Sequence, residues 1–541
     1  MIKLSNIKIP ASAGAGGLKT AVSELLGVPE TSIRSLTVLK RSVDARHKSG
    51  VSFVYTVALM ADGEAEILKT KSNTAEPYTP PEAYTFPYGS MNMSQRPVVV
   101  GAGPAGLFAA LCLAEAGLRP VLLERGKPVE ARKTDVERFW KTGKLDEDSN
   151  VQFGEGGAGT FSDGKLTTGI HDPRILFVLR RLVEFGAPED ILYLAKPHIG
   201  TDRLRAVVVA MRRELQRLGC DVHFGHRLEG LHFENSRLKS ADVAADEGAY
   251  SIQAPHLILA PGNSARDTFE MLVRSGVRLS AKSFSVGVRI EHRQADIDTA
   301  QYGQAATLGT LPASDYKLAV HLKSGRSVYT FCVCPGGSVI AAASQAGHVV
   351  TNGMSEYARD GKNCNGGLLV SVTPEDYPKP LGILSNGLGS LSGIAFQRDL
   401  EQAAFIGGGG NYHAPAQLVG DFLKKRPSKK AASVSPTYRP GVRWCNLWDV
   451  LPAFICEALA EALPQMERSI RGFSNRDAVL TAVETRSSSP IRIDREAYSA
   501  VGLSGLFPCG EGSGYAGGIM SAAVDGIHAA EALCASIVNQ G

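Results

Sequence analysis

The sequence lacks several features that would mark a secreted, membrane-spanning or nucleic-acid-binding protein. Its nine cysteines are an odd number without a CxxC pair, so no disulfide framework and no metal site is indicated, and a reducing compartment is favoured. It has no run of about 18 apolar residues, the length that a membrane span needs, and no signal-peptide pattern. A net charge of +4 over 541 residues is too small to indicate a nucleic-acid surface. We therefore expect a cytoplasmic globular protein.

Glycine, by contrast, is abundant. The sequence has 58 glycines among its 541 residues, a larger share than the average of roughly 7%. They cluster at positions 154–164, 407–410 and 510–518. Glycine is favoured where the backbone turns sharply or closely approaches another group. The three clusters therefore predict tight turns or close approaches.

The first 95 residues divide into a small module and a linker. Residues 1–70 contain a strand with Ile2 and Leu4, a helix after Gly17 and two strands rich in β-branched residues. This pattern predicts a small α+β module of the ferredoxin-like kind. Residues 71–95 are polar and proline-rich, which is typical of a linker.

Beyond the linker the pattern changes and predicts an α/β protein. Residues 96–281 run strand, glycine turn, helix, strand, as in a Rossmann-like parallel sheet with helices on its faces. Residues 282–430 carry alternating strand-like runs with few helices, so we expect an inserted mixed or antiparallel β-sheet domain that caps the substrate. Residues 431–541 look helical and then return through a short strand to a final helix that completes the first fold.

The most informative stretch is RPVVVGAGPAGLFAALCLAEAGLRPVLLERG. A strand at 98–100 leads into Gly101, Gly103 and Gly106, the three glycines of a GxGxxG motif. The first glycine makes the turn, the second admits a pyrophosphate, and the third lets helix and strand pack closely. The motif therefore predicts a dinucleotide site.

The residues around the motif support this interpretation. The helix that begins with Pro104 and Ala105 directs its amino-terminal N–H groups and its dipole toward the phosphates. The second strand ends at Glu124, 18 positions beyond Gly106, where an acid accepts hydrogen bonds from both ribose hydroxyls. Two other GxGxxG matches, at 154–159 and 512–517, do not combine a strand before, a helix of suitable length after and an acid at the right distance. A structural βαβ unit without a nucleotide is the alternative.

Two later segments favour FAD over NAD. LILAPGNSARDTF leads a strand into Ala260-Pro261-Gly262, as in two-dinucleotide-fold flavoproteins, whose chain returns here toward the first nucleotide turn; we predict cofactor contacts from Ala260 and Gly262. GLFPCGEGSGYAGGIMSAAVDGIHAA then supplies a strand, a glycine loop and a helix near the end of the sequence. Flavoproteins of the glutathione-reductase structural superfamily end in a similar way.

The superfamily resemblance implies roles for this last loop. It places Gly510 and Glu511 at the ribityl chain of FAD, although Asp is common where Glu511 stands. It also places Gly517, Gly518 and Ile519 at the N1/C2=O edge of the flavin, where a helix amino terminus stabilises the anionic reduced ring. A plain glycine-rich turn before an amphipathic helix is the alternative.

Eight further segments carry a closer resemblance: LKRSVDAR, LERGKPVEARKTDVERFW, QFGEGGAGTFSDGKL, SFSVGVRIEH, TFCVCPGG, TNGMSEYARDGKN, PTYRPGV and VETRSSSPIRI. Through them, nearly the whole chain resembles a bacterial family of little-characterised FAD-dependent, dehydrogenase-like proteins. The resemblance implies non-covalent FAD binding and a fused amino-terminal domain, and it implies no particular substrate. The family often has Met between the two cysteines, and Asn-Ala-Asn-Ser where this chain has Asn-Cys-Asn-Gly at 363–366.

The glycine loop at 154–166 follows the second nucleotide strand and a helix. In related flavoproteins, loops at this point run along the pyrophosphate and past the isoalloxazine ring, and successive glycines let backbone N–H groups face the cofactor. A plain loop is the alternative. The predicted cofactor contacts are Gly156, Gly157, Gly159, Thr160 and Ser162.

Two arginines beyond Glu124 complete the predicted cofactor set. Arg125 follows the acid directly. Arg132 could reach a phosphate with its guanidinium fork, or it could be one charge on a solvated helix.

Acid–base groups are harder to select. A flavin dehydrogenase needs a base near the carbon that loses hydride, and a reductase needs the conjugate acid. We predict Lys165, which ends the glycine loop, together with Tyr438 and Arg439, which lie in the turn-like SPTYRPG segment. A structural role is the alternative for each. Further candidates are His171, His413 and Arg486.

Cys332 and Cys334 form a CxC pair. Strand alternation would place both on one face, either as a redox pair or as buried core thiols, and the core is the preferred interpretation. The helix after the GxGxxG motif lacks the CxxxxC disulfide of glutathione reductase and its relatives, which excludes that subclass of disulfide reductases.

Three functions remain open. The first is an FAD-dependent oxidoreductase that exchanges hydride between a small molecule and flavin N5, with an unidentified electron acceptor. The second is a monooxygenase of the hydroxybenzoate-hydroxylase type, in which NAD(P)H would bleach the flavin. The third is a flavoprotein whose first module binds RNA or a protein partner, with salt-sensitive RNA retention as its test. The module's cations are Lys40, Arg41, Arg46 and Lys48. Such clusters are usually solvated faces, and we prefer the first function.

Overall fold

The amino-terminal module has the predicted ferredoxin-like topology. The structure is a computed structural model that describes residues 1–14, 16–91, 93, 95–377 and 388–538. The elements of the module are β1 (Ile2–Pro10), α1 (Leu18–Leu26), β2 (Ile33–Asp44), β3 (Ser52–Ala61), α2 (Glu64–Thr70) and β4 (Ala75–Pro77). Its sheet has the order β2-β3-β1-β4, with each neighbouring pair antiparallel. The module extends beyond residue 70, where we had placed its end, because β4 pairs with β1.

The module docks on the rest of the chain through the segment proposed to bind RNA. The Arg41 amide donates to the Tyr193 carbonyl at 2.8 Å, and the Ala195 amide donates to the Arg41 carbonyl at 2.9 Å. The Arg41 guanidinium also lies over the Tyr193 ring. Arg46 forms an ion pair with Asp44 at 2.7 Å. Two of the four cations are therefore engaged within the chain.

Residues 96–281 alternate strands and helices, as predicted. The elements are β5 (Val98–Val100), α3 (Pro104–Glu115), β6 (Val121–Glu124), α4 (Val129–Thr142), α5 (Arg174–Glu184), α6 (Thr201–Arg217), β7 (Asp221–Phe224), β8 (Arg227–Glu234), β9 (Arg237–Ala244), β10 (Tyr250–Gln253), β11 (Leu257–Leu259), α7 (Arg266–Arg274) and β12 (Leu279–Ala281). β8, β9 and β10 form a small antiparallel sheet of their own.

The inserted domain is a mixed sheet, which confirms the predicted type. Its elements are β13 (Phe284–Arg293), α8 (Gln294–Tyr302), β14 (Ala319–His321), β15 (Ser327–Cys334), β16 (Ser338–Ala341), β17 (Thr351–Met354), β18 (Asn363–Val372), α9 (Ser392–Gly407), β19 (Ala414–Leu418), α10 (Val419–Phe422), β20 (Val442–Trp444), α11 (Ala453–Ser469) and β21 (Val479–Glu484). Seven strands pair in the order β14-β15-β18-β13-β21-β19-β20, and all these pairs are antiparallel except β19–β20.

Two expectations for this domain need correction. It contains more helix than the sequence suggested, since α9 alone spans 16 residues. It also continues through β21 rather than ending at residue 430, because side chains of α11 and β21 belong to its hydrophobic core. Residues 378–387 of the predicted domain lie outside the described residues.

The last elements complete the nucleotide fold. They are β22 (Ile491–Ile493), β23 (Arg495–Glu496), β24 (Ser499–Ala500), β25 (Leu506–Pro508) and α12 (Ile519–Val538). β22 pairs with β12. The strand before the inserted domain therefore lies beside the strand that follows it. A five-stranded parallel sheet then has the order β25-β11-β5-β6-β7. Ligands of such sheets bind at the carboxyl ends of the strands.

α12 is a core helix. It has 20 residues and a mean hydropathy of 1.2 over its most apolar window, enough by length and composition to cross a membrane. However, 56% of that window is buried within the fold. The helix packs so closely on α3 that a side chain at Gly526 would overlap the Ala105 carbonyl.

Candidate active site

The GxGxxG turn has the geometry that its glycines predict. Gly101 has a φ of +98°, and a Cβ there would overlap the Ala260 carbonyl at the end of β11. A Cβ at Gly106 would overlap the Gly101 carbonyl, so Gly106 lets α3 approach β5. Gly103 has no such overlap and lines a large cavity, as Gly101 also does. The first and third glycines are therefore needed for packing, and the second faces the ligand space.

Glu124 ties this turn to the glycine loop. Its carboxylate lines the cavity and accepts hydrogen bonds from the backbone N–H groups of Ala102 at 2.7 Å, Gly126 at 2.9 Å and Gly154 at 3.0 Å. A carboxylate has about four acceptor sites. The three backbone bonds leave room for one ribose hydroxyl, rather than the two that the sequence predicted.

Arg125 borders the same end of the cavity. Its guanidinium lies 4.3 Å from the centroid of the Phe153 ring, and its Nη2 donates to Asp267 Oδ1 at 2.9 Å. The side chain is thus held as a flat wall beside Glu124, which suits the predicted cofactor contact.

Arg132 does not reach the cavity, so its predicted phosphate contact is wrong. The side chain is fully buried, and burial lowers its pKa to about 10. Its guanidinium donates to four backbone carbonyls at 2.6–3.2 Å. These carbonyls belong to Asn150, Val151, Gly154 and Glu155. The solvated-helix alternative is equally wrong, because Arg132 instead fixes the start of the glycine loop.

The glycine loop only partly faces the ligand space. Its cavity-lining members among the predicted contacts are Gly157, Gly159 and Ser162. Gly156 and Thr160 lie outside the lining, so their predicted cofactor contacts are wrong. The Gly156 amide donates to the Ala102 carbonyl at 2.7 Å, and Thr160 Oγ1 donates to the Glu155 carbonyl at 3.2 Å. These two residues brace the loop against the GxGxxG turn.

The carboxyl-terminal loop faces the other end of the cavity. Its lining residues are Gly510, Glu511, Gly517, Gly518 and Ile519. α12 begins at Ile519, so its unpaired amino-terminal N–H groups lie at the cavity wall. Burial raises the pKa of Glu511 to about 7, and Asn263 Nδ2 donates to Glu511 Oε1 at 2.8 Å.

The cavity fits FAD. It has a volume of about 990 Å³ and runs from Glu124 past Gly103 to Gly518, which is at the upper end of the range of roughly 300–1,000 Å³ for ligand pockets. Ala260 and Gly262 form part of the wall between these ends. The helices α3 and α12 both begin at it, which suits a ligand with a pyrophosphate in its middle, near Gly103, and an anionic ring at the end near Gly518.

Lys165 lies in this cavity as part of an ion cluster. Its Nζ donates to Asp163 Oδ2 at 2.6 Å, and Arg359 Nε donates to Asp163 Oδ1 at 3.0 Å. Burial works against the Asp163 carboxylate, but the two cations outweigh it and lower its pKa to about 2. Burial likewise acts to lower the pKa of Lys165, and the thiols of the CxC pair with Asp163 raise it overall. Lys165 therefore stays charged at neutral pH.

Tyr438 and Arg439 are placed away from the cavity, which contradicts their predicted catalytic role. Neither contributes to its lining. Tyr438 is buried in the core of the inserted domain, and its hydroxyl donates to the Tyr412 carbonyl at 3.2 Å. Arg439 pairs by backbone with Ile340. The turn that carries both residues packs against the sheet instead of opening on the substrate.

The three remaining candidates for acid–base groups do not lie together. His171 and His413 do not line the cavity. Arg486 does line it, but its guanidinium is held by Glu401, with Nε to Oε1 at 3.0 Å and Nη2 to Oε2 at 2.8 Å. Arg486 is therefore an anchored part of the wall.

The two cysteines of the CxC pair do not share one environment. β15 has a bulge between Phe331 and Cys334, and Cys332 has a φ of +43°. The strand alternation that we assumed is therefore broken. Cys334 is fully buried, as the core interpretation predicts, whereas Cys332 lines the cavity.

Several functional residues were missed from the sequence. Asp163 and Arg359 lie within the SDGK and YARDGKN stretches of two segments that carry the family resemblance, so a signal for them existed. Asp525 had a weaker signal, an acid in the mostly apolar terminal helix. Its Oδ2 accepts from the Gly510 amide at 2.7 Å, and its Oδ1 accepts from Arg495 Nη2 at 2.6 Å. It thereby fixes the loop under the terminal helix.

Comparisons with known proteins agree with this geometry. The chain matches an FAD binding domain over residues 96–135 and an FAD-dependent protein, C-terminal domain-like, over residues 283–487. Residues 1–60 match a domain of unknown function. The second match spans the inserted domain to just beyond β21.

Relatives were found by sequence and by fold. An uncharacterized protein of Clostridium beijerinckii is 44% identical over 535 residues, covering 98% of each chain. An anhydrotetracycline hydroxylase from Streptomyces rimosus is 14% identical with a TM-score of 0.33, over 82% of this chain and 62% of its own. A glycerol-3-phosphate dehydrogenase from Bacillus halodurans complexed with FAD is 12% identical with a TM-score of 0.35. The match covers 83% of this chain and 66% of the dehydrogenase.

The fold, the nucleotide turn and the two family matches agree on the cofactor, which is FAD. The relative that is similar over nearly its whole length covers all three parts of the molecule. The chain therefore belongs to a little-characterised family of FAD-dependent oxidoreductases.

Proposed function

We propose that this oxidoreductase exchanges hydride between a small anionic molecule and N5 of FAD, and that a separate acceptor or donor completes the cycle. The observation that carries the proposal is the ion cluster in the cavity. Lys165 and Arg359 place two positive charges around the single carboxylate of Asp163, in the same cavity as the nucleotide turn. The positive charge that is left over when the CxC pair is uncharged favours a carboxylate or phosphate group on the substrate.

FAD, when bound, supplies two-electron chemistry at its flavin ring. The chain supplies the rest. Glu124 and Gly103 hold the nucleotide end, and Glu511 with the start of α12 holds the flavin end. Lys165 binds the anionic group of the substrate. Burial raises the pKa of Glu484 to about 7, which suits a proton acceptor at neutral pH, and its side chain lines the cavity.

We further propose that the enzyme works in the cytoplasm. All nine cysteines are free thiols, as is usual in a reducing compartment. The amino-terminal module docks beside residues 195–197, which border the cavity, so we assign it a role at the substrate entrance rather than in RNA binding.

The test begins with the purified protein, which should be yellow with bound FAD. It is then mixed anaerobically with pools of small carboxylates and phosphate esters. We expect at least one pool to bleach the visible flavin band, and uncharged analogues of the same molecules to leave it unchanged. Bleaching by NAD(P)H, with none of these pools bleaching the flavin, would contradict the proposal and favour a monooxygenase.

Lys165 and Tyr438 give a matched pair of variants. With the bleaching substrate, Lys165→Met should raise the substrate concentration for half-maximal flavin reduction about 10- to 100-fold, since one charged hydrogen bond contributes roughly 1.5–3 kcal/mol. Tyr438→Phe should stay within about 2-fold of the parent, because its hydroxyl bonds a carbonyl outside the cavity. Stopped-flow reduction measures both, and an equal loss in the two variants would refute the assignment of Lys165.

A further inference from the structure

The CxC pair has a local geometry that ordinary core cysteines lack. The bulge in β15 turns Cys332 toward the cavity and leaves Cys334 directly behind it, with Cys334 Sγ 3.3 Å from the Cys332 carbonyl oxygen. The Cys334 thiol therefore donates to the backbone of Cys332. Cys332 lies at the wall of the ligand space, and Cys334 is its buried partner two residues further along the strand.

Two cations flank the pair. Lys165 Nζ lies 3.9 Å from Cys334 Sγ, and Arg289 Nη2 lies 3.7 Å from the same atom. Arg289 Nη2 also donates to the Cys332 carbonyl at 2.9 Å. Both cations thus contact the buried sulfur of Cys334, and positive charge and hydrogen-bond donors at that sulfur favour one thiolate, the reactive form, within the pair as a whole.

The electrostatics separate Cys332 from every other cysteine. The hydrogen bond from Cys334 lowers the pKa of Cys332, and Lys165 and Arg289 add to the effect against the opposing cost of burial. The pKa of Cys334 is raised by the same hydrogen bond. Burial raises the pKa of the other seven, all within the described residues: Cys112, Cys220, Cys364, Cys445, Cys456, Cys509 and Cys534. Cys332 is also the one cysteine that lines the cavity.

We propose that Cys332 and Cys334 are a redox-active dithiol that exchanges two electrons with the bound FAD. The site differs from the disulfide of glutathione reductase, which follows the GxGxxG helix, because this pair lies on the inserted sheet across the cavity. The inference goes beyond hydride exchange with a small molecule and requires only bound FAD, not the substrate proposed above.

The electron and proton balance closes within the protein. The Cys332 thiolate and the Cys334 thiol form an S–S bond, and the two electrons and the proton of Cys334 pass to oxidised FAD, which becomes the reduced anion. In the reverse direction, reduced FAD returns the electrons and the proton, and the S–S bond breaks. The protein therefore stores four electrons, two in the flavin and two in the dithiol.

Counting thiols tests the disulfide without any enzyme activity. The FAD-loaded protein is oxidised with ferricyanide, freed of reagent, denatured in acid and alkylated, and peptide mass spectrometry locates the label. We expect two fewer labelled residues than the nine cysteines of the chain, with Cys332 and Cys334 joined. Nine labelled cysteines in the oxidised protein would overturn the proposal.

Reductive titration tests the electron store. The oxidised holoenzyme should take up two equivalents of dithionite, whereas Cys332→Ser and Cys334→Ser should each take up one. The control Cys445→Ser, at a cysteine that is also only partly buried, should behave as the parent. Uptake of one equivalent by the parent would overturn the dithiol while leaving FAD binding and substrate bleaching intact, so the two proposals fail separately.

Alkylation rates keep the proposal testable if a serine variant loses FAD. In the parent, iodoacetamide should label Cys332 quickly at about pH 6, since the ordinary thiol pKa is about 8.5. In Cys334→Ala, which has no side-chain donor, that labelling should slow at least ~10-fold. A parent Cys332 that labels no faster than Cys445 would overturn the proposal.

Discussion

Replacing Gly103 with valine is expected to abolish FAD binding while the protein stays folded. Gly103 lines the cavity, and the nearest neighbour of a Cβ placed there is the Gly157 Cα at 3.9 Å. A valine is therefore accommodated by the polypeptide but projects into the space that a pyrophosphate needs. We expect FAD to bind at least ~100-fold more weakly, which corresponds to about 2.7 kcal/mol.

The measurement is the FAD content of the purified variant together with its melting temperature with and without added FAD. Excess FAD should stabilise the parent by roughly 2.7 kcal/mol at 100 times its Kd and leave Gly103→Val unshifted. Gly89→Val is the matched control, because Gly89 is exposed in the linker and has no neighbour within 4 Å of an added Cβ. Gly103→Val protein that purifies with a full complement of FAD would refute the placement of the pyrophosphate.

The parts of this site that the sequence predicts are those encoded by short-range signals. The turn at Gly101, the acid at Glu124 and the start of α12 each depend on a local strand, turn and helix, and all of them line the cavity. Glycine spacing reports backbone geometry directly, because a side chain at Gly101 or Gly106 would overlap a neighbouring carbonyl. The ferredoxin-like module was predictable for the same reason, since its strands alternate clearly.

The residues that were predicted wrongly depend on contacts distant in sequence. Arg132 was assigned to a phosphate, but the carbonyls that bind it belong to a loop that folds back over α4. Tyr438 lies in a segment with turn-like composition, yet tertiary packing buries it. Alternation placed Cys332 in the core, and pairing with β18 introduced the bulge that turns it outward. Local patterns carry no information about such partners.

The buried ion cluster at Glu401 gives the second large prediction. Glu401, on α9, is fully buried and binds both Arg266 and Arg486. It joins α7 to the chain just beyond β21, where Arg486 forms part of the cavity wall. Burial acts to raise the pKa of Glu401, but the two arginines outweigh it and lower the pKa well below its ordinary value.

Glu401→Gln should lower the free energy of unfolding of this region by about 3–5 kcal/mol, because two buried guanidinium groups lose their counter-charge. Glu270→Gln is the matched control: its pair with Arg398 is about one-third exposed, and such pairs contribute roughly 0–1 kcal/mol. Urea unfolding followed by circular dichroism compares the two. A folded-state pKa below the ordinary glutamate value of about 4.3 means that the Glu401 contribution is complete above that pH and declines as the pH falls. The difference in the free energy of unfolding between the parent and Glu401→Gln should therefore be largest at neutral pH and become smaller in acid. Equal losses of unfolding free energy in Glu401→Gln and Glu270→Gln at neutral pH would contradict the role of this cluster.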